Sequence, residues 1–422
     1  MLADKSLEEN TRMNRSLTST AQTGGSWGAV FAMSLAAFVL VASEFMPVSL
    51  LTPIASDLHI TEGQAGQGIS VSGLFALFTS LLISSVAARV ERKPLLVSLT
   101  LLMIVSGTVV AFAPNYWVFM GGRALIGVAI GGFWSLSAAT AMRLVPESQV
   151  TRAMAIVNGG NALATVVAAP LGSFLGAMIG WRGAFMALLP VAVIACAWLL
   201  TSLPTMKAQS GSGTGNVLTL MKRTPVALGM IAVSVFFMGQ FMLFTYLRPF
   251  LETVTHVSVS MLSLMLLVLG LAGLAGTFLI EAFLKNGLHR TLAVIPVLMA
   301  AIALALVSFG SSSAITIVLL GLWGVVATAA PVGWWTWLAR TLPDDAEAGG
   351  GLMVAIIQLA IASGAIVGGL VFDASGYRAT FETSAGLLGV AAALACLAGR
   401  AATRAAAGGT SVTTQRGAPA AR

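Results

Sequence analysis

The stretch Phe31-Ala-Met-Ser-Leu-Ala-Ala-Phe-Val-Leu-Val-Ala-Ser-Glu44-Phe-Met-Pro47-Val-Ser-Leu-Leu-Thr-Pro53 decides the fold. A helix crosses the hydrocarbon core of a bilayer with roughly 20 apolar residues, and this run is long enough. It holds one carboxylate, Glu44, well inside. A charge at the bilayer centre costs about 2.5–3.5 kcal/mol even on the most lenient scale. Such a group faces a bundle interior or a watery cavity, and it lowers its cost by taking up a proton. Residue type and depth together point to a proton site.

The rest of the chain continues in the same composition. Of 422 residues, 57% are hydrophobic and only 9% charged, and the mean hydropathy is +0.94. That is too few charges to cover a soluble core of this size, so the class is an all-α, multi-pass membrane protein. Apolar periods predict about twelve spans, near 28–55, 65–87, 94–113, 117–142, 152–179, 184–203, 226–248, 260–284, 291–309, 314–338, 350–372 and 381–399. The run after the polar N-terminus is too long for a signal-peptide core, so the first span is expected to stay in the mature chain. Residues 1–26 read as an N-terminal tail, 27–203 as a first six-helix bundle and 204–225 as a Ser/Gly-rich basic linker. Residues 226–399 read as a second bundle, and 400–422 as an Ala/Gly/Thr-rich tail without structure. Cys196 and Cys396 both fall in apolar runs and read as inert core residues rather than a disulfide.

The net charge of +7 is explained by topology rather than by a nucleic-acid partner. Of the 22 Lys and Arg, all but Arg123, Arg182, Arg248 and Arg378 fall on one side of the predicted spans. The positive-inside rule puts that side, with both termini, in the cytoplasm.

An internal repeat divides the chain. Arg143-Leu-Val-Pro146-Glu147 matches Arg340-Thr-Leu-Pro343-Asp344 at an offset of 197 (340 − 143), which also maps Gly127 to Gly324 and Asn161 to Gln358. With one residue of slip, Trp181-Arg182 maps to Tyr377-Arg378 and Phe185 to Phe381. An even number of spans per half makes these parallel repeats about an axis along the membrane normal.

Enzyme constellations are missing. There is no Walker A sequence and no zinc-ligand spacing, and His59, His256 and His289 all fall near span ends. The chain is therefore expected to be a secondary transporter rather than an enzyme, with no cofactor or metal.

Glu44 and Arg123 are the acid and the cation deepest in spans; Glu281 lies near a helix end, where it reaches water. At 1.5 Å per residue they lie about 15 Å and about 10 Å below the same face, so they are candidates for a proton-coupling pair, the alternative being a purely structural buried ion pair. Arg123, Gly127, Gly131 and Trp134 share one face of span 4. The glycines there suit close helix packing, and Trp134 is a candidate to stack on a flat ligand. In span 10, Trp334 and Trp335 are cavity candidates, while Trp337 is either that or an interface anchor. Span 7 supplies Gln240, Phe241 and Phe244, and Asn158, Asn161 and Gln358 add amides in spans 5 and 11. Each amide needs a partner in lipid, so interhelical hydrogen bonding stands beside ligand binding. Amides and aromatics with few charges suit a neutral, planar, hydroxyl-bearing ligand.

The paired repeats, the span 4 segment GRALIGVAIGG, Ala169-Pro170-Leu171-Gly172 with Trp181-Arg182, and Tyr246-Leu-Arg248-Pro249 resemble the major facilitator superfamily, in its bacterial drug:proton antiporter branch. Within that branch Glu44-Phe45-Met46-Pro47, Gly131-Gly132-Phe133-Trp134, Met142-Arg143-Leu144-Val145-Pro146 and Pro331-Val332-Gly333-Trp334 resemble the purine ribonucleoside efflux pumps. The resemblance implies two pseudo-symmetric six-helix bundles around a cavity lined by spans 1, 4, 7 and 10. It also implies a monomer in a bacterial inner membrane that exports nucleosides such as inosine and guanosine in exchange for protons. A sugar or broad drug exporter of the same superfamily is the alternative. One departure stands out. The family's loop between spans 2 and 3 reads G-x-L-A-D-R-x-G-R-R/K, whereas Ser84-Ser-Val-Ala-Ala88-Arg89-Val-Glu91-Arg92-Lys93 lacks both glycines and the aspartate. Glu91 or Glu281 is then expected to take over the latch made by that acid.

Overall fold

The computed structural model describes residues 26–87, 89–206, 220–342 and 346–415, and all regular structure among them is helical. The first half comprises α1 (Trp27–Ser49), α2 (Leu51–Leu58), α3 (Glu62–Ala87), α4 (Arg92–Ala111), α5 (Tyr116–Leu144) and α6 (Val150–Ser202). The second comprises α7 (Thr224–Thr245), α8 (Leu247–Thr253), α9 (Val259–Phe309), α10 (Ser313–Thr341) and α11 (Ala346–Gln415).

Three of these helices are too long to be one span. α6 has 53 residues, α9 has 51 and α11 has 70, against roughly 30 Å of hydrocarbon covered at 1.5 Å per residue. Each turns back at a glycine with non-helical torsions: Gly180, Gly287 and Gly376. Counting each as two spans, and α1, α3, α4, α5, α7 and α10 as one, gives the twelve expected. Gly180 and Gly376 both adopt φ of 75°, a region that costs a glycine little.

The same 196-residue slip relates these two glycines (376 − 180) and extends the repeat beyond what the sequence revealed. Predicted spans 1 and 7 are each broken near the outer end, at Leu50 (φ −119°, ψ 11°) and Tyr246 (φ −102°, ψ 16°), again 196 apart. Side-chain geometry repeats too. Trp181 meets Phe185 edge-on at 6.3 Å and 88°, and Tyr377 meets Phe381 at 6.2 Å and 86°.

The glycines of span 4 are packing elements, as their spacing suggested. A Cβ on Gly127 would collide with the Ser72 carbonyl of α3, and one on Gly324 with the Leu269 carbonyl of α9. The two contacts share the 197 offset (324 − 127 and 269 − 72). Gly127→Val is therefore expected to force α3 and α5 apart and lower stability by about 1–3 kcal/mol, the usual cost of overpacking. A thermal melt of purified protein checks this, and an unchanged melting temperature would refute the close packing.

Several expectations change. Trp337 is no interface anchor: it is 1% exposed and packs over Gly229. Cys196 is buried, but Cys396 is exposed, and both are free thiols. The chain from Arg400 stays helical to Gln415 rather than lacking structure, consistent with the high helix propensity of Ala401-Ala-Thr-Arg404-Ala-Ala-Ala407. The expected N-terminal tail, apart from Ser26, lies outside the described residues, as do residues 207–219 of the linker.

The halves meet along two seams, α3 against α11 and α6 against α9. The cross-half hydrogen bonds lie toward the face poor in lysine and arginine. Ser70 Oγ donates to the Ala362 carbonyl (2.9 Å), and Arg248 donates to the Ser49 carbonyl. Asp373 accepts from Thr61 Oγ1 (2.6 Å) and from the Gly63 backbone N–H (3.0 Å) at the start of α3. Apolar contacts follow the same geography: Val48, Ile69 and Ala169 join the second-half core, and Tyr246 joins the first. Large side chains such as Phe78, Trp117, Phe278 and Phe283 stay more than half exposed around the bundle, as a lipid-facing belt requires.

Candidate functional site

The site begins at Arg123. In α5 this residue is 1% exposed, and its guanidinium is held by four hydrogen bonds from two neighbouring helices. Nε donates to the Gly68 carbonyl (3.0 Å) and Nη1 to the Ser43 carbonyl (2.7 Å). Nη2 donates to the Glu44 carbonyl (3.0 Å) and to Ser72 Oγ (3.1 Å). The planar fork thus ties α1, α3 and α5 together, a geometry that a compact ammonium does not reproduce. The depths counted along the sequence placed the two charges near each other, and they are electrostatically coupled. The bonds from Arg123 to Glu44 go to its backbone, however.

The Glu44 side chain points elsewhere. It is 4% exposed and lies near the side chain of Gln358 from α11, in the other half. Next to it Phe45 stacks on Phe241 of α7, with centroids 5.7 Å apart and planes 27° apart, and Phe241 meets Phe244 edge-on at 5.9 Å. Glu44 with Gln358, and Phe45 with Phe241 and Phe244, thus make two neighbouring contacts between the halves. Gln240 lies beside Phe241 on α7, with its carbonyl oxygen buried and without a protein partner, as is that of Gln358. Two unpaired amide oxygens in a protein interior are where a ligand donor gains most.

The other candidates are dispersed. Trp134 is half-buried against Phe133, and Asn161 is half-buried. Asn158 is exposed, with its amide donating to Met154 of its own helix (3.0 Å). Trp334 is 2% exposed within the second-half core, and Trp335 is 42% exposed. Neither joins the Glu44–Gln358 or Phe45–Phe241 contact. Of the two substitutes expected for the missing loop acid, Glu281 pairs with Lys285 (3.3 Å) on its own helix.

Sequence reasoning missed the closure on the far side of the site. Asp373 has no signal of its own, since it follows an apolar run as many span-end acids do. Arg248, which also pairs with Glu252 (2.8 Å), belongs to the quoted Tyr246-Leu-Arg248-Pro249 segment and was the one traceable sign. Also at this face, outside the spans, Arg182 pairs with Asp57 and holds its carboxyl below the usual carboxylate range, against a smaller opposing effect of burial. Asp373→Ala removes two of the bonds across the seam. It is expected to raise, several-fold, the rate at which a cysteine introduced at buried Ser70 reacts with an impermeant maleimide. An unchanged rate would mean that Asp373 does not hold the seam shut.

A paired arrangement of twelve spans, with a buried acid and a buried arginine beside the seam, is the architecture of a transporter. The Major Facilitator Superfamily model matches residues 33–350. The chain belongs to that superfamily. Among relatives, it is 60% identical over 394 residues to the transcription regulatory protein OpdE of Pseudomonas aeruginosa, covering 92% of this chain and 98% of that one. It is 40% identical over 362 residues to the purine ribonucleoside efflux pump NepI of Salmonella typhimurium, covering 86% and 91%. Of solved structures, a bacterial homologue of the human lysosomal transporter Spinster superposes with a TM-score of 0.73 at 15% identity, covering 89% of this chain and 97% of that one. A D-xylose–proton symporter gives 0.71 at 15%, with the same coverage. The superfamily fold and the multi-pass membrane class expected from the sequence stand, and the spans it predicted coincide with the observed helices.

Proposed function

We propose that the protein exports purine ribonucleosides in exchange for protons, from a bacterial inner membrane with both termini in the cytoplasm. The observation that carries this is Glu44: an ionisable group buried in a span, whose side chain faces the opposite half through Gln358. A carboxylate there attracts Arg123 and the Gln358 amide, and the neutral acid does both more weakly. Protonation thus changes the interaction between the halves, which is what coupling requires. With the site open to the outside, Glu44 takes a proton, its hold on Arg123 weakens and substrate leaves. Closure of the outer seam then carries the proton inward.

Substrate class rests on the relation to NepI and on the chemistry of the residues around Glu44. The Phe45, Phe241 and Phe244 rings offer faces to a planar base. The free amide oxygens of Gln240 and Gln358 suit donors such as ribose hydroxyls or ring N–H groups. The measurement is efflux of radiolabelled inosine from cells overexpressing the protein, with and without a protonophore. Efflux that stops with the protonophore and is competed by guanosine supports the proposal. Competition by arabinose or lipophilic cations instead would replace it with a sugar or broad drug exporter.

The relation to OpdE favours a second consequence. An exporter changes transcription by lowering the internal concentration of an inducer, with no nucleic-acid contact. If so, a transport-dead variant loses the transcriptional effect along with export.

A further inference from the structure

One cavity lies away from the seam and takes no part in the site above. It has a volume of about 570 Å³ at the lysine- and arginine-rich end of the second half. Four helices converge on it. α9 contributes Lys285, Gly287, Leu288, His289 and Arg290, at its own break. α10 contributes Trp337, Arg340 and Thr341, α7 its first-turn Pro225, and the end of α11 Ala402.

Among the described residues that line it, the charged ones are all basic. Lys285, Arg290 and Arg340 line it with His289, which senses the charge of Arg340. Among the described residues, Glu281 pairs with the lining Lys285 at an exposed position. Among the described residues no carboxylate pairs with Arg290 or Arg340. The 22-residue helix α7 begins at the rim, and its N-cap residue Arg223 makes no side-chain capping bond, so its positive dipole end adds to the field. Cations held in one cavity repel each other unless an anion joins them, and paired guanidinium groups fit phosphate oxygens in two-pronged fashion.

Location narrows the source. The cavity sits where spans 8, 9 and 10 end, at headgroup level, and its wall includes Leu288 and Trp337 as well as the basic groups. Basic pockets between helices at this depth are where anionic lipid headgroups seat. The volume falls in the range of small-molecule sites.

We propose that this cavity is a phosphate-binding site, and that the phosphate is the headgroup of an anionic phospholipid such as phosphatidylglycerol. It would bridge α9 at its break to α10, bracing the second half independently of the transport site.

The test uses the full chain purified in detergent, with retained phosphatidylglycerol and phosphatidylcholine counted by native mass spectrometry after exposure to equal amounts of both. The wild type is expected to prefer phosphatidylglycerol. In the Arg290→Gln/Arg340→Gln variant that preference falls by about 30-fold, as two basic contacts at a membrane surface imply. Arg89→Gln/Lys93→Gln, on the same face of the first half, keeps it. Melting curves with inorganic phosphate form a second arm. Protection by phosphate alone, lost in the first variant, keeps the site but assigns it to a soluble anion. Equal preference in all three proteins, equal loss in both variants, or no preference in the wild type overturns the proposal. If the double variant does not fold, His289→Gln/Arg290→Gln is read in the same way. None of these outcomes depends on nucleoside export.

Discussion

Glu44→Gln is expected to leave the protein folded in the membrane and to abolish proton-driven export altogether. Glutamine has the shape of the neutral acid and keeps an acceptor near Gln358, but it exchanges no proton. The effect is large because the driving force is large. A proton entering down 100 mV supplies about 2.3 kcal/mol, and at about 1.4 kcal/mol per tenfold this sustains roughly a 50-fold gradient of a neutral solute. Without coupling the ratio falls to 1, while facilitated exchange of labelled for unlabelled substrate persists. Everted vesicles energised by a pH gradient read both quantities from one preparation. Accumulation that survives the substitution would remove Glu44 from the mechanism and leave its burial to structure alone. The companion Gln358→Ala, which removes the cross-half neighbour but not the proton site, is expected to slow turnover without abolishing coupling.

How much of this was legible follows from what each feature depends on. Spans are local: an apolar run of bilayer length declares itself, so the helices fall where composition put them. The repeat was legible because Trp181-Arg182 and Tyr377-Arg378 mark two equivalent turns. The breaks at Leu50 and Tyr246 were not, because neither residue is a glycine or proline, and only backbone torsions place them. Side-chain direction was the other gap. Trp334 and Trp335 are adjacent on α10 and equally aromatic, yet one is 2% exposed and the other 42%. Gln358 passed for one amide among several, since its contact with Glu44 bridges 314 positions (358 − 44). Depth along two helices brought Glu44 and Arg123 together but was silent on azimuth. Hence the guanidinium turns out to be caged by carbonyls.

The symmetry of the fold turns that cage into a sharper prediction. Adding 197 to Arg123 gives Leu320, fully buried at the corresponding place in α10. The second half therefore builds the same three-helix contact without a cation, so the packing alone does not call for Arg123. What distinguishes the first half is Glu44. Arg123→Leu is expected to destabilise the protein by about 3–5 kcal/mol, the cost of removing one partner from a buried charged pair. Three carbonyls lose their donors in the same step. Arg123→Lys recovers only part, because an ammonium is a point charge and not a fork. The informative variant is the double one. If Arg123 is kept to hold the Glu44 carboxylate, Arg123→Leu in a Glu44→Gln background costs less than in the wild type, with a coupling of about 1–3 kcal/mol. Equilibrium unfolding in a mixed micelle measures all four corners of that cycle. Strict additivity would make Arg123 a carbonyl brace that happens to lie near an acid. A positive coupling would mean that part of the stability Arg123 contributes depends on the charge of Glu44.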